Sequence, residues 1–282
     1  HTEKGYKKYQ QYYKIQQMHQ IEAKKLDIED KIHTIQYEDF IGLENYTRLF
    51  TDDPRFWESF QRLSFLSVTT VFLQYTIGFA LAHIVWKEIL FQRFFRVLFL
   101  IPMMTTPVIM TVIWKTVFHE SLGPVNDFFS LFGVTPLWLS SEALSKVTVI
   151  IVEVWQWTPF MFLLLLAGLL SLPKEPFLAA SIDGAGPIRK FVYVTFPLMA
   201  PISIGAIIIR LIEASKIMDT VYVLTSGGPG TSSETSSFYI FIKGLREFQF
   251  GYSAALSLTY LIIMIISLTI IAKMLVKLMI RS

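Results

Sequence analysis

Five apolar runs, at residues 63–86, 94–118, 147–170, 198–217 and 252–279, each approach or exceed the length a helix needs to cross a bilayer. Within hydrocarbon the backbone has no water to bond to, so each run must close its own hydrogen bonds as a helix. That requirement sets the fold class before any motif is weighed: an all-α membrane protein, a polytopic helical bundle with five visible transmembrane helices. Composition agrees, with 53% hydrophobic and 17% charged residues, against about 25% charged in an average soluble domain. The net charge of +3 says little about partners, because residues 1–62 hold ten of the 25 Lys/Arg and eleven of the 22 Asp/Glu. Without cysteine there is no disulfide frame, no thiolate nucleophile and no Cys-based metal site. His33, His83 and His119 lack ligand spacing, so no metal is expected. The first residues carry no apolar stretch of the kind a secretory signal needs.

Lysine and arginine in short connectors favour the cytoplasmic side. Lys87, Arg93 and Arg96 follow the first run, Lys174, Arg189 and Lys190 follow the third, and Lys273, Lys277 and Arg281 close the chain. The opposite connectors hold Lys146 alone, then Lys243 with Arg246. This alternation assigns the loop at 172–197 to the cytoplasm and the polar N-terminal segment, 1–62, to the extracytoplasmic side. The membrane domain then covers 63–282. An odd number of spans with an external start implies one or more further helices ahead of residue 1. Residues 1–31, rich in Lys, Gln and Tyr, read as a solvated surface segment. Pro102, Pro107 and Pro159 fall inside apolar runs and each removes a backbone donor. Such breaks either line a cavity or are packing kinks satisfied by neighbouring helices.

The loop "FLAASIDGAGPIRKFVYVTFPLMAP" predicts a helix, a turn and a second helix lying across the membrane face. Pro173 ends the third span and 174–182 form a short helix. Gly184 or Gly186 supplies a left-handed helix end, Pro187 starts the second helix, and Pro197 opens the fourth span. Ala179 and Ala180 give a small-residue face, Asp183 can hold the turn by bonding free backbone donors, and Ile182, Ile188, Phe191 and Val192 form an apolar ridge. A unit of this kind fits a groove in a partner protein.

The pattern Ala179-Ala180-x-x-Asp183-Gly184-Ala185-Gly186, with Phe191, Phe196-Pro197-Leu198 and Pro201 following, resembles the "EAA" loop of the permease subunits of binding-protein-dependent ABC importers. "IGLENYTRLFTDDPRFWESF", "LGPVNDFFSLFG" and "DTVYVLTSGGPG" extend the resemblance from about residue 40 to the end, and it is strongest to the maltose-type, carbohydrate-uptake permeases. One residue departs: Leu178 stands where the family motif opens on glutamate, and Glu175, one helical turn earlier, is the nearest acidic group. The resemblance implies that the chain is not an enzyme and has no catalytic residue. Its loop, with Glu175, Ala179, Ala180, Asp183, Gly184, Ala185, Gly186 and Pro197, would dock on a cytoplasmic ATPase dimer that binds ATP-Mg, and the chain itself would hold no cofactor. A second permease subunit and an extracytoplasmic sugar-binding protein complete the implied assembly, in a bacterial or archaeal cytoplasmic membrane. Consistent with an external energy source, the chain contains no G-x-x-x-x-G-K-[ST] phosphate loop.

Ionisable groups within spans are functional candidates. Glu153 lies in "VEVWQWTPF", and Arg210, Glu213 and Lys216 in "RLIEASK". Helical spacing gives Glu153, Gln156 and Phe160 one face and Arg210, Glu213 and Lys216 another. Either the two faces are opposite walls of a sugar cavity, with Trp155, Trp157 and Phe160 as aromatic platforms, or Glu153 pairs with Arg210 or Lys216 as a brace between helices and the tryptophans face lipid. The resemblance favours a substrate pathway of Glu153, Gln156, Trp157, Phe160, Glu213 and Met104, and two basic groups leave room for an acidic saccharide. Gly227, Gly228 and Pro229 read as an external turn, either a solvated loop or a contact for a substrate-delivering protein. An inverted repeat would favour the alternative of an ion- or proton-coupled carrier or channel, and none is visible in the sequence; a scaffold that merely recruits a cytoplasmic protein has no need of mid-span charges.

Overall fold

The computed structural model describes residues 41–86 and 92–280, with a few helical positions between 18 and 25. Nearly all of the surface segment 1–31, and Lys87 and Arg281, lie outside them. The chain divides into a leading unit, 1–48, and a main unit, 49–282. Among the described residues every regular element is a helix.

A short helix, α1 (Glu44–Thr51), is followed by α2 (Pro54–Trp86), the first of four helices long and apolar enough to cross a membrane. It begins at Pro54, ahead of the expected 63, because its start is well capped. Asp53 Oδ1 accepts the Phe56 N–H at 3.1 Å, and Pro54 at the first position has no donor to leave unsatisfied. The polar residues Glu58, Gln61 and Arg62 therefore ride on the helix, not on a separate segment.

The second expected span is not one rod. It splits into α3 (Gln92–Met104) and α4 (Pro107–Val117), whose 97–104 and 107–117 portions are bent by 98°. Pro107 causes the break, since it biases its predecessor away from helical angles and Thr106 sits at φ −63, ψ 128. Pro102 and Pro159, by contrast, lie inside continuous helices. At Pro159 the hydroxyl of Thr158 donates to the Val154 carbonyl at 2.6 Å, a local bond beside the one that the proline ring forfeits.

After α5 (Pro124–Ser130) comes α6 (Glu142–Leu170), the most enclosed of the long helices, with α2, α3, α4 and the helices that start at Pro187 and Asp219 packed on it. Close approach of α2 depends on Gly78, where a Cβ would lie 2.9 Å from that of Met161. Leu66, Val149, Val152, Met161, Phe162 and Leu165 fill the seam and are buried.

A short α7 (Glu175–Ile182) leads through a turn into α8 (Pro187–Ala214). The expectation that Pro197 opens a separate span is corrected here: α8 starts at Pro187 and runs on without a break. A π turn at Phe191–Thr195 absorbs the missing donor of Pro197, with the Phe196 N–H reaching back to the Phe191 carbonyl. The elbow's second arm is thus the membrane helix itself. Then follow α9 (Asp219–Leu224), α10 (Ser236–Phe241) with a π turn at Ile242–Arg246, and α11 (Phe250–Ile280). Of the spans α11 is the least covered within this chain.

Candidate functional site

Two arrangements stand out, an exposed elbow at one end of α6 and α8 and a charged cleft toward the other. In the elbow, α7 ends with Gly184 in the left-handed region at φ +71. The Ala185 N–H meets the Ala180 carbonyl at 2.9 Å and the Gly184 N–H meets that of Ser181 at 3.2 Å. This double bond pattern is the Schellman ending, which satisfies the last carbonyls of the helix without a side chain. The turn is closed by the main chain, so the expected capping bond of the Asp183 carboxylate is not what holds it. Lys190 Nζ adds a bond from α8 to Ser181 Oγ at 2.8 Å.

Aromatic side chains fix the elbow beneath α2. The Phe177 ring lies 5.5 Å from Trp86, and that of Phe191 lies 5.6 Å from Phe79 and 5.2 Å from His83. Phe191 therefore faces inward and leaves the apolar ridge, while Ile182 at 87% exposure, Ile188 at 80% and Val192 at 46% stay on it and Leu178 at 63% joins them. Glu175, Ala179, Asp183, Gly184 and Gly186 share this open surface, with Ala180 and Ala185 partly covered.

The cleft has a volume of about 260 Å³ and is lined by Glu153, Trp157, Arg210, Glu213, Lys216 and the segment 217–220, with Pro107 at one edge. At its floor Arg210, 1% exposed, donates Nη2 to Glu153 Oε2 at 3.1 Å and Nε to Gln74 Oε1 at 2.8 Å. Its guanidinium lies 4.8 Å from the centre of the Trp157 ring, a cation–π contact. Glu153 also accepts from the Thr220 hydroxyl, and Gln74 Nε2 donates to the Glu153 main-chain carbonyl at 2.9 Å. Both buried charges are paired and hydrogen-bonded, as burial of a charge requires. At the rim the exposed Glu213 and Lys216 pair at 2.8 Å. Helix α8 ends at Ala214, so Lys216 lies in the following turn and not in the span.

Of the residues expected along a substrate pathway, Glu153, Trp157 and Glu213 meet in this cleft. Gln156 does not open onto it. Its Nε2 bonds the carbonyls of Pro102 at 2.8 Å and Thr105 at 3.1 Å, filling the gap that the α3–α4 break leaves. Met104 is 80% exposed at the end of α3, and neither it nor Phe160 lines the cleft. Trp155 turns the other way, edge-on to Trp114, into an apolar pocket of about 520 Å³ between α2, α3 and α6. Sequence reasoning missed Gln74, Asp219 and Thr220. Gln74 was visible as a lone amide inside an apolar run, whereas Asp219 and Thr220 look like ordinary loop residues until α9 folds against the bundle.

Beyond α9 the expected external turn is a stapled loop. The Ser233 N–H bonds the Gly227 carbonyl at 3.1 Å, its hydroxyl that of Gly228 at 2.9 Å, and the Gly228–Pro229 peptide is cis. The loop ends on Glu234, 2% exposed, which takes a two-pronged grip from Arg55 at 2.9 and 2.6 Å. Beside it the hydroxyls of Tyr239 and Tyr252 both donate to Asp53 Oδ2. Burial, and then the Asp53 carboxylate, hold the Tyr239 hydroxyl protonated far above the usual phenol range.

Known proteins share this organisation. The family described as "Binding-protein-dependent transport system inner membrane component" matches residues 74–281. The trehalose/maltose transport system permease protein of Thermococcus litoralis is 35% identical over 82% of this chain and 78% of its own length. The sulfoquinovosyl glycerol transport system permease protein of Agrobacterium fabrum is 35% identical over 78% of this chain and 71% of its own. A solved bacterial ABC transporter involved in import of the acidic polysaccharide alginate contains a chain with a TM-score of 0.76, at 19% identity, covering 87% of this chain and 88% of that one. That likeness establishes a common fold.

Proposed function

The chain belongs to the family of inner membrane components of binding-protein-dependent transport systems, and from that premise we propose that it is the permease subunit of a saccharide importer driven by a separate ATPase. In this reading it pairs with a second permease, the elbow faces the cytoplasm and docks on an ATPase dimer that binds ATP-Mg, and a sugar-binding protein delivers cargo on the far side of a bacterial or archaeal cytoplasmic membrane. The alternatives, an ion-coupled carrier or channel and a scaffold, gain no support from the described residues.

The observation that carries the reading is the continuity of α8. A single helix leads from the exposed Leu178–Ile182–Ile188 surface to Arg210 at the floor of the cleft. At 1.5 Å per residue that arm is about 35 Å long. Pressure on the elbow therefore displaces cleft residues as one rigid body, the type of switch that alternating access needs. The three exposed apolar side chains are what a helix-in-groove contact uses. The cleft's carboxylates, cations and the Trp157 ring are the groups that bind sugar hydroxyls and stack on sugar faces.

Gly184→Val tests the coupling. A β-branched residue at φ +71 is strained by roughly 1–2 kcal/mol or more, while nothing lies within 4 Å to clash with it. The expected result is membrane insertion at the normal level, loss of the co-purifying ATPase and loss of sugar uptake. Normal uptake with a distorted elbow, or purification of the chain alone with ion flux in liposomes, would overturn the proposal.

A further inference from the structure

The geometry points to a cleft that selects uncharged saccharides and excludes acidic ones, an inference that rests on the cleft being the sugar site. The sequence left room for an acidic cargo because Arg210 and Lys216 looked available. In the folded chain both are committed. Arg210 is bonded to Glu153 and Gln74 and lies over Trp157, and Lys216 is bonded to Glu213. Lys115, the nearest base on α4, donates Nζ to the Val223 carbonyl at 2.9 Å and is absent from the lining.

The lining carries the carboxylates of Glu153, Glu213 and Asp219 against the cations of Arg210 and Lys216, and so has one negative charge in excess. Asp219 is the residue that tips this balance. It opens α9, is exposed, and has no hydrogen bond or ion pair among the described residues. A uronate, sulfonate or phosphate entering here meets net repulsion, and the one deeply buried cation can receive it only by giving up Glu153. A neutral sugar gains instead: the unpartnered Asp219 carboxylate and the remaining lone pairs of the exposed Glu213 accept its hydroxyl protons, and the Trp157 ring, partly exposed at the wall, offers a stacking face. The excess charge, felt across about 10 Å at an effective dielectric of about 20, disfavours an anionic saccharide by roughly tenfold.

The test uses the assembled importer in lipid nanodiscs without its binding protein, whose own selectivity then cannot intervene. The probes are maltose and the uronate made by oxidising its C6 hydroxyl, and the readout is the ratio of their equilibrium affinities. The expected result is a preference for maltose of roughly tenfold at low ionic strength that narrows at about 1 M salt, where charges are screened within a few ångströms. Asp219→Asn narrows the same ratio at low salt. A uronate bound as tightly as maltose, or a ratio indifferent to salt, overturns the inference, and the salt series alone decides if the variant does not assemble. If Trp157→Ala leaves the binding of both probes as it was, or neither probe binds, the cleft is not the sugar site and the reading beneath the inference falls with it.

Discussion

Arg210→Leu is the substitution whose consequence the structure specifies most fully. The guanidinium is 1% exposed and holds three groups at once: Glu153 at 3.1 Å, Gln74 at 2.8 Å and the Trp157 ring at 4.8 Å. Breaking a buried pair by deleting one partner typically costs about 3–5 kcal/mol, because the other charge is left without compensation. The Gln74 carbonyl loses its donor as well, which adds about 1 kcal/mol or more. Together these give about 4–6 kcal/mol, and at roughly 2–4 °C per kcal/mol for a large domain the thermal midpoint should fall by roughly 8–24 °C. The companion variant, Glu153→Leu with Arg210→Leu, removes both charges and should recover about 3 kcal/mol of the loss, leaving chiefly the unsatisfied Gln74 and Thr220. Both are read by thermal unfolding of the detergent-solubilised importer, with tryptophan fluorescence of each variant beside the parent. A fall of under about 2 °C for the single variant, or a double variant as unstable as the sum of its singles, would refute the picture of a tightly coupled pair.

Two further substitutions probe the frame around that pair. Gly78→Ala puts a methyl 2.9 Å from the Met161 Cβ and 3.0 Å from the Phe162 backbone nitrogen. It should force α2 off α6 at a cost of about 1–3 kcal/mol, seen as a lower thermal midpoint that Met161→Ala does not restore, because the atoms struck are the Cβ and main chain that alanine keeps. Gln156→Leu keeps the side chain's bulk but strips the donor from the Pro102 and Thr105 carbonyls. It should cost about 1–3 kcal/mol, and hydrogen exchange should quicken at 103–110 while the elbow is unchanged.

The spans were legible in the sequence because the bilayer permits so few backbone solutions, and four of the five expected runs are long helices. The exception shows what composition does not carry. Residues 94–118 are as apolar as their neighbours, yet the chain turns by 98° in their midst. Three prolines offered themselves as breaks and only Pro107 made one, since Pro102 and Pro159 are accommodated inside their helices. Which proline breaks a helix depends on who satisfies the freed carbonyls, and that partner, Gln156, sits some fifty residues away on another helix. The elbow was read down to a left-handed ending at Gly184 or Gly186 because helix endings are local chemistry, and the fold puts it at Gly184. The expected role of Asp183 failed for the same local reason: once Gly184 allows the Schellman bonds, no carboxylate is needed. In the cleft, both readings of Glu153 were open from spacing alone. The structure makes it a brace to Arg210 that also forms the cleft floor, and only the fold of α9 reveals Asp219 and Thr220 beside it.

Brace and elbow are parts of one frame. Helix α6 leaves the elbow at one side and carries Glu153 about 25 Å along it, and α8 leaves at the other and carries Arg210 about 35 Å along it. Two rods that diverge from a common joint can scissor unless something ties them further out. The Glu153–Arg210 bond is that tie, with Gln74 of α2 and Thr220 of α9 bonded into the same knot. A triangle closed in this way does not shear. A push on the exposed elbow is delivered to the cleft as rotation of a whole body and is not dissipated as a change of angle between its arms. This is why a buried ion pair, a poor source of stability compared with apolar packing, is well placed here: its value lies in fixing the relative position of two helices that the elbow joins.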